Sequence, residues 1–184
     1  MRLRHKGRGW TKFKGDYCAR LVKRAIEDML VDREDIQVTG PNVFIKDYPT
    51  EIDLLLVRQN AEPDEYTVAY SVDQAVAWVE VKAHGTYGKK SEIPAKIKEG
   101  IVESFDRVRR ANPRIQCAYV TLTERCTPPR NGTGSFWELT QKGLDTYSTS
   151  AFCLAETPLQ KPQQVLKHQR VDDWGRFGKF IHSL

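Results

Sequence analysis

The chain has 184 residues, 40% of them hydrophobic and 29% charged, which fits one globular domain with a buried core. No apolar run approaches the roughly 18 residues that a membrane-spanning helix requires, and the basic N-terminus is not followed by the apolar segment of a secretory signal. The expectation is a cytoplasmic protein with no membrane partner. Four cysteines (Cys18, Cys117, Cys126, Cys153) form neither a CxxC pair nor a zinc-like spacing, and read as reduced, buried thiols.

Charge is unevenly distributed. Of the 29 basic residues, six (Arg2, Arg4, Lys6, Arg8, Lys12, Lys14) fall in residues 1–14, which hold no acidic residue. The remainder of the chain is close to balanced, so the net charge of +5 resides in an N-terminal arm. This divides the chain into a basic arm, 1–14, and a single domain, 15–184. Trp10 and Phe13 interleave with the basic residues, a combination suited to a phosphate backbone and an exposed base, with Arg4, Lys6, Arg8 and Lys12 as the contacts. A solvated tail is the competing reading.

In chain order, Asp16 opens a helix over 16–31 whose apolar face is Cys18, Leu21, Val22, Ala25, Ile26, Met29 and Leu30. Residues 36–46 read as strand, turn at Gly40-Pro41, and strand. A second turn at 47–50 leads to Glu51-Ile52-Asp53-Leu54-Leu55-Leu56-Val57, an apolar strand carrying two carboxylates. Residues 58–75 form a polar excursion, with a short strand within Tyr66–Tyr70. Next comes Val76-Ala77-Trp78-Val79-Glu80-Val81-Lys82, another apolar strand with charges planted in it. Residues two apart on a strand share a face, so Glu80 lies with Lys82, and Glu51 with Asp53. Charges inside runs that otherwise look buried are costly unless they pair or bind a metal.

Beyond Lys82, the glycine-containing segment 84–91 with Lys89 and Lys90 suits a loop over nucleic acid, or an ordinary solvated turn. Ser91 caps a helix running to Ala111, with Ile93, Ile97, Ile101, Phe105 and Val108 as its buried stripe. Its basic residues (Lys96, Lys98, Arg107, Arg109, Arg110) read either as phosphate contacts, Lys96 foremost, or as a solvated face. Gln116–Thr123 is a strand, Phe136–Tyr147 a helix or mixed segment, and Ala151–Ala155 a late strand. The loop at 124–135 lacks the Lys-Ser/Thr ending of a phosphate-binding loop. Val171, Trp174, Phe177, Ile181 and Leu184 recur at helical spacing, so a C-terminal helix packs on the core or on a second subunit.

An Asp on one apolar strand followed by Glu-x-Lys on the next resembles the PD-(D/E)XK nuclease superfamily. The matching residues are Asp53, Glu80 and Lys82, and the likeness covers residues 14–123, including a helix before, a helix after and a further strand. The resemblance implies an α/β fold: a restriction-endonuclease-like core with a central mixed β-sheet flanked by helices. It also implies catalysis by Asp53, Glu80 and Lys82, with Mg²⁺ or Mn²⁺ held by Asp53, Glu80 and the backbone carbonyl of Val81. Lys14-Gly15 looks like the start of archaeal Holliday-junction resolvases, and on that alignment the helix acid of many members falls at Ala19. Glu51 is the substitute candidate for that acid. His84, a lone loop histidine, reads as a surface residue.

The function implied is a metal-dependent endonuclease acting on DNA rather than RNA, with a homodimer as the form that cuts two strands. A non-catalytic nucleic-acid-binding module on the same scaffold is the alternative. Ala19 favours it, and the intact Asp53, Glu80 and Lys82 oppose it.

Overall fold

A computed structural model describes residues 8–84, 98–123, 136–147, 149–155 and 171–184. Helix α1 (Arg8–Met29) precedes strands β1 (Ile36–Thr39), β2 (Val43–Ile45), β3 (Tyr48–Ile52), β4 (Leu54–Arg58), β5 (Ala69–Tyr70) and β6 (Ala75–His84). A π-helical turn (Lys98–Val102) leads into α2 (Glu103–Ala111), followed by β7 (Gln116–Thr123), α3 (Phe136–Asp145), β8 (Ser150–Cys153) and α4 (Val171–His182).

The molecule is an α/β protein whose central mixed sheet has helices on both faces. Its strand order is β1-β4-β6-β7-β8. β1, β4 and β6 pair antiparallel, while β6, β7 and β8 pair parallel. The parallel half explains the long apolar runs, since strands covered on both faces do not alternate with polar residues. β7 is buried from Cys117 to Thr123. A smaller sheet, β3-β2-β5, joins the second face.

Side-chain parity divides the interior into two cores. On one face, Leu54, Leu56, Ala77, Val79, Val81, Ala118 and Val120 meet Ala19, Val22 and Ile26 of α1 and Phe177 and Ile181 of α4. On the other, Leu55, Val57, Trp78 and Tyr119 meet Phe105 and Val108 of α2, Trp137 and Leu144 of α3, and Val43, Ile45 and Ile52 of the small sheet. The C-terminal helix thus packs on its own core: the Phe152 and Phe177 rings are 5.2 Å apart. Its Asp173 accepts the Cys153 amide at 3.3 Å, and the Trp174 indole donates to the Leu154 carbonyl at 3.0 Å.

Several boundaries differ from expectation. α1 begins at Arg8, so residues 8–14 of the expected arm are helical. Once the apolar face of 18–30 has nucleated a helix, each added residue brings one hydrogen bond, which outweighs the cost of Gly9 and Gly15. The expected strand 51–57 is two strands. It breaks at Asp53, with β3 in the small sheet and β4 in the large one. Glu51 and Asp53 therefore do not share a strand face. β1 and β2, read as neighbours across one turn, also belong to different sheets. Among the described residues, no helix is long and apolar enough to cross a membrane.

A stability prediction follows from α4. Gly175 is exposed in the helix interior, and a Cβ there meets nothing within 4 Å. Gly175→Ala is expected to stabilise the protein by about 0.5–1 kcal/mol, read as a higher urea midpoint at unchanged slope. A lower midpoint would mean that α4 is not helical at this position.

Candidate active site

The site is made by a ladder that stops. β4 and β6 pair from Val57↔Ala75 to Leu54↔Val79, and the chain before Leu54 then turns away into the small sheet. β6 continues to His84, so its next inward-facing amide has no strand opposite it. That amide, Val81 N–H, donates to Oδ2 of Asp53 at 2.8 Å. Asp53 sits at the bend and caps the opened ladder with its side chain. Within a strand, the N–H and C=O of one residue face the same neighbour. The Val81 carbonyl thus opens toward the same gap.

Glu80 and Lys82 project from β6 on the face that carries Trp78. The Lys82 ammonium pairs with Glu80 Oε1 and lies 3.7 Å from Asp53 Oδ2. One cation therefore serves two carboxylates, one on β6 and one at the bend before β4. Parallel pairing with β7 sets Glu80 beside Tyr119 and Lys82 beside Thr121. Thr121 and Thr123 are buried on that strand. Thr121 Oγ1 donates to the Thr123 carbonyl at 2.9 Å and Thr123 Oγ1 to the Ala83 carbonyl at 3.1 Å, stiffening the end of β6 beyond Lys82.

The electrostatics are those of crowded acids. Burial drives the Glu80 carboxyl above the ordinary range, the Lys82 ammonium pulls it back, and the Asp53 charge pushes it up again. Asp53 is likewise raised by burial and by Glu51, against the pull of Lys82 and the Val81 amide. Glu51 is exposed at the end of β3, so its charge reaches Asp53 without a shared strand. Cys18 of α1 also senses the site. Burial raises its thiol, Lys14 lowers it and Asp53 raises it further.

Asp53, Glu80, Lys82 and the Val81 backbone are thus brought together. Ala19 is fully buried in α1 against the sheet face opposite Trp78. Arg8 and Lys12 fall on the first turns of α1; Arg4, Lys6, Lys89, Lys90 and Lys96 lie outside the described residues. The arginines of α2 are at the wrong end of the molecule for the site. α2 runs back between two parallel strands, and Asn112 at its end donates to the Val72 and Ala75 carbonyls at 2.8 and 3.0 Å. Ala75 is seven residues from Lys82, roughly 23 Å along β6. Arg109 there covers the Phe105 ring at 5.9 Å.

Among the described residues, no group of three or more His, Cys, Asp or Glu side chains is gathered to hold a metal. The available donors are the two carboxylates and the Val81 carbonyl. Sequence reasoning missed Gly40, at which a Cβ would run into the Asp53 backbone. Its signal was Gly-Pro in the turn after β1, legible as a turn but not as a neighbour of Asp53.

The cysteines carry a prediction. Cys18, Cys117 and Cys153 are buried thiols, and burial pushes the Cys117 thiol up to about 12. The thiolate is the reactive form, so at about pH 8 none of the three should be labelled by a disulfide reagent in the native protein, and all should be in urea. Peptide mass mapping reads this directly. Rapid native labelling of Cys117 would show that the α2 face of the sheet is open. No protein-family model matches the chain, and no curated protein matches it.

Proposed function

We propose that the protein is a metal-dependent nuclease that hydrolyses phosphodiester bonds in nucleic acid, DNA rather than RNA, on a restriction-endonuclease-like core of the PD-(D/E)XK superfamily. The observation that carries this reading is the convergence of Asp53, Glu80 and Lys82 on the gap where the β4–β6 ladder opens. A structural ion pair needs one carboxylate for one ammonium. Here two carboxylates crowd one ammonium. Burial raises both, and a neighbouring acid raises each further: Glu51 for Asp53, Asp53 for Glu80. A protein tolerates such an excess of buried negative charge where a cation is to be received.

Asp53, Glu80 and the Val81 carbonyl would hold Mg²⁺ or Mn²⁺. These hard cations take oxygen donors and keep several waters, so three protein oxygens suffice. When bound, such a cation activates water and neutralises charge on the phosphate. The chain's own contributions are distinct. The Val81 amide fixes the Asp53 carboxylate in the gap. Thr121 and Thr123 hold the end of β6 rigid. Lys82, tethered to both carboxylates, presents a positive charge that offsets the charge growing on an attacked phosphate. Lys14 lies on the helix whose Cys18 responds to both Lys14 and Asp53, so it brings a positive charge of the kind a polyanion needs toward the Asp53 end of the sheet.

The test is a panel of labelled single-stranded, duplex and branched DNA and RNA, incubated with Mg²⁺, Mn²⁺ or EDTA. Cleavage that requires the metal supports the reading and names the substrate class. Salt-sensitive binding with no cleavage on any substrate would overturn it in favour of a binding module.

A further inference from the structure

We infer that Gly40 is the positioning residue of the site: the turn after β1 sets the main chain at Asp53 and thereby the direction of its carboxylate. The inference rests on the reading of Asp53 as a site acid. Gly40 has φ +111°, a conformation that side-chain-bearing residues rarely adopt. Contact matters more than conformation here. A Cβ at Gly40 would overlap the Asp53 carbonyl oxygen, and would lie 3.2 Å from Leu54 Cα and 3.3 Å from the Asp53 carbonyl carbon. All three are backbone atoms at the bend where the chain passes from the small sheet to the large one. No flexible side chain is available to yield.

The turn is itself held from two sides. Lys23 of α1 donates to the Gly40 carbonyl at 3.3 Å, and Thr39 Oγ1 donates to the Leu55 carbonyl at 3.0 Å. β1 pairs with β4 up to Thr39↔Leu55, so the turn begins where that pairing ends and lies directly over residues 53 and 54. A wall of fixed backbone on one side and the Val81 amide on the other leave the Asp53 carboxylate one placement, beside Lys82. A methyl group at Gly40 pushes the bend toward β6 or tilts it away. Either movement breaks the 2.8 Å bond to Val81.

The experiment compares wild type with Gly40→Ala and, as a second variant should that one fail to fold, with Lys23→Met, which releases the turn more gently. Amide hydrogen exchange at Val81 is the readout that needs neither metal nor activity. Exchange at Val79, inside the intact ladder, is the control. In folded Gly40→Ala, Val81 exchange is expected to rise about tenfold or more with Val79 unchanged, the mark of one lost hydrogen bond to a charged acceptor. Lys23→Met is expected to show a rise of about threefold. The Mn²⁺ concentration for half-maximal cleavage should rise in the same order, while substrate binding in EDTA stays level. Val81 protection equal to wild type in folded Gly40→Ala, or in Lys23→Met if Gly40→Ala does not fold, would overturn the inference. If wild type itself does not cleave, the reading of the site fails, and the exchange data still decide whether Gly40 positions Asp53.

Discussion

Asp53→Asn is expected to reduce metal-dependent cleavage by at least about a thousandfold, equivalent to about 4 kcal/mol of transition-state stabilisation. The asparagine separates two roles that an alanine would confound. Its amide oxygen still accepts the Val81 N–H, so the bend and the protection of that amide are retained. What is removed is the charge, and with it half of the carboxylate pair that faces Lys82. Folded stability should change little, because losing an acid that repels Glu80 offsets a weaker contact with Lys82. Asp53→Ala should lose cleavage to the same degree and also leave the Val81 amide without its acceptor, at a cost of about 1–3 kcal/mol. Progress curves and thermal unfolding on the same preparations check both. An Asp53→Asn protein that cleaves at near wild-type rate would remove Asp53 from the chemistry, and the proposed nuclease site with it.

The second large effect is on folding. Trp78→Ala is expected to cost about 3–5 kcal/mol, a large part of the 5–15 kcal/mol by which domains are stable. Trp78 is 2% exposed, and its indole meets the Phe105 ring edge-on at 5.0 Å and 79°. Truncation would empty the space between β6 and α2, where backbone on both sides limits collapse. Trp78→Phe retains an aromatic partner for Phe105 and should cost about 1–2 kcal/mol. Urea unfolding measures both. A cost below about 1 kcal/mol for Trp78→Ala would mean that α2 does not seal this face. Because Trp78 stands two residues before Glu80 on the same face, its loss would also loosen the floor of the site.

The acid–lysine set was legible in the sequence because a strand has a strict period of two. Glu80 and Lys82 had to share a face, and charges among Val79, Val81 and Trp78 had no reason to persist without partners. The interleaved apolar residues likewise announced two buried strands, and Val171, Phe177 and Ile181 announced the final helix. The break at Asp53 was hidden by the same means. Glu51 to Val57 reads as one apolar strand, and the bend that divides it lies beside Gly40, a residue thirteen positions earlier at which a Cβ would meet the Asp53 carbonyl oxygen. Local pattern holds no record of that neighbour. The early start of α1 was hidden because Gly9 and Gly15 are poor helix formers, and only the packing of residues 18–30 overrules them. The basic residues of the helix after β6 left phosphate contact and solvated face both open, and it is chain direction that sets the arginines of α2 at the far end of β6 from Lys82.

The bond from the Cys153 amide to Asp173 has a consequence for how copies of this chain can meet. β8 is the outer strand of the large sheet, and a bare outer strand invites another chain to extend the sheet. Leu154 N–H points inward to Thr121, so the Cys153 amide before it points outward, and the Asp173 carboxylate already occupies it. The Trp174 indole takes the Leu154 carbonyl just past the end of the strand. The last helix thus already occupies an outward amide of this margin, at Cys153. A strand from a second copy that approached β8 would have to displace the Asp173 carboxylate before it could pair at Cys153.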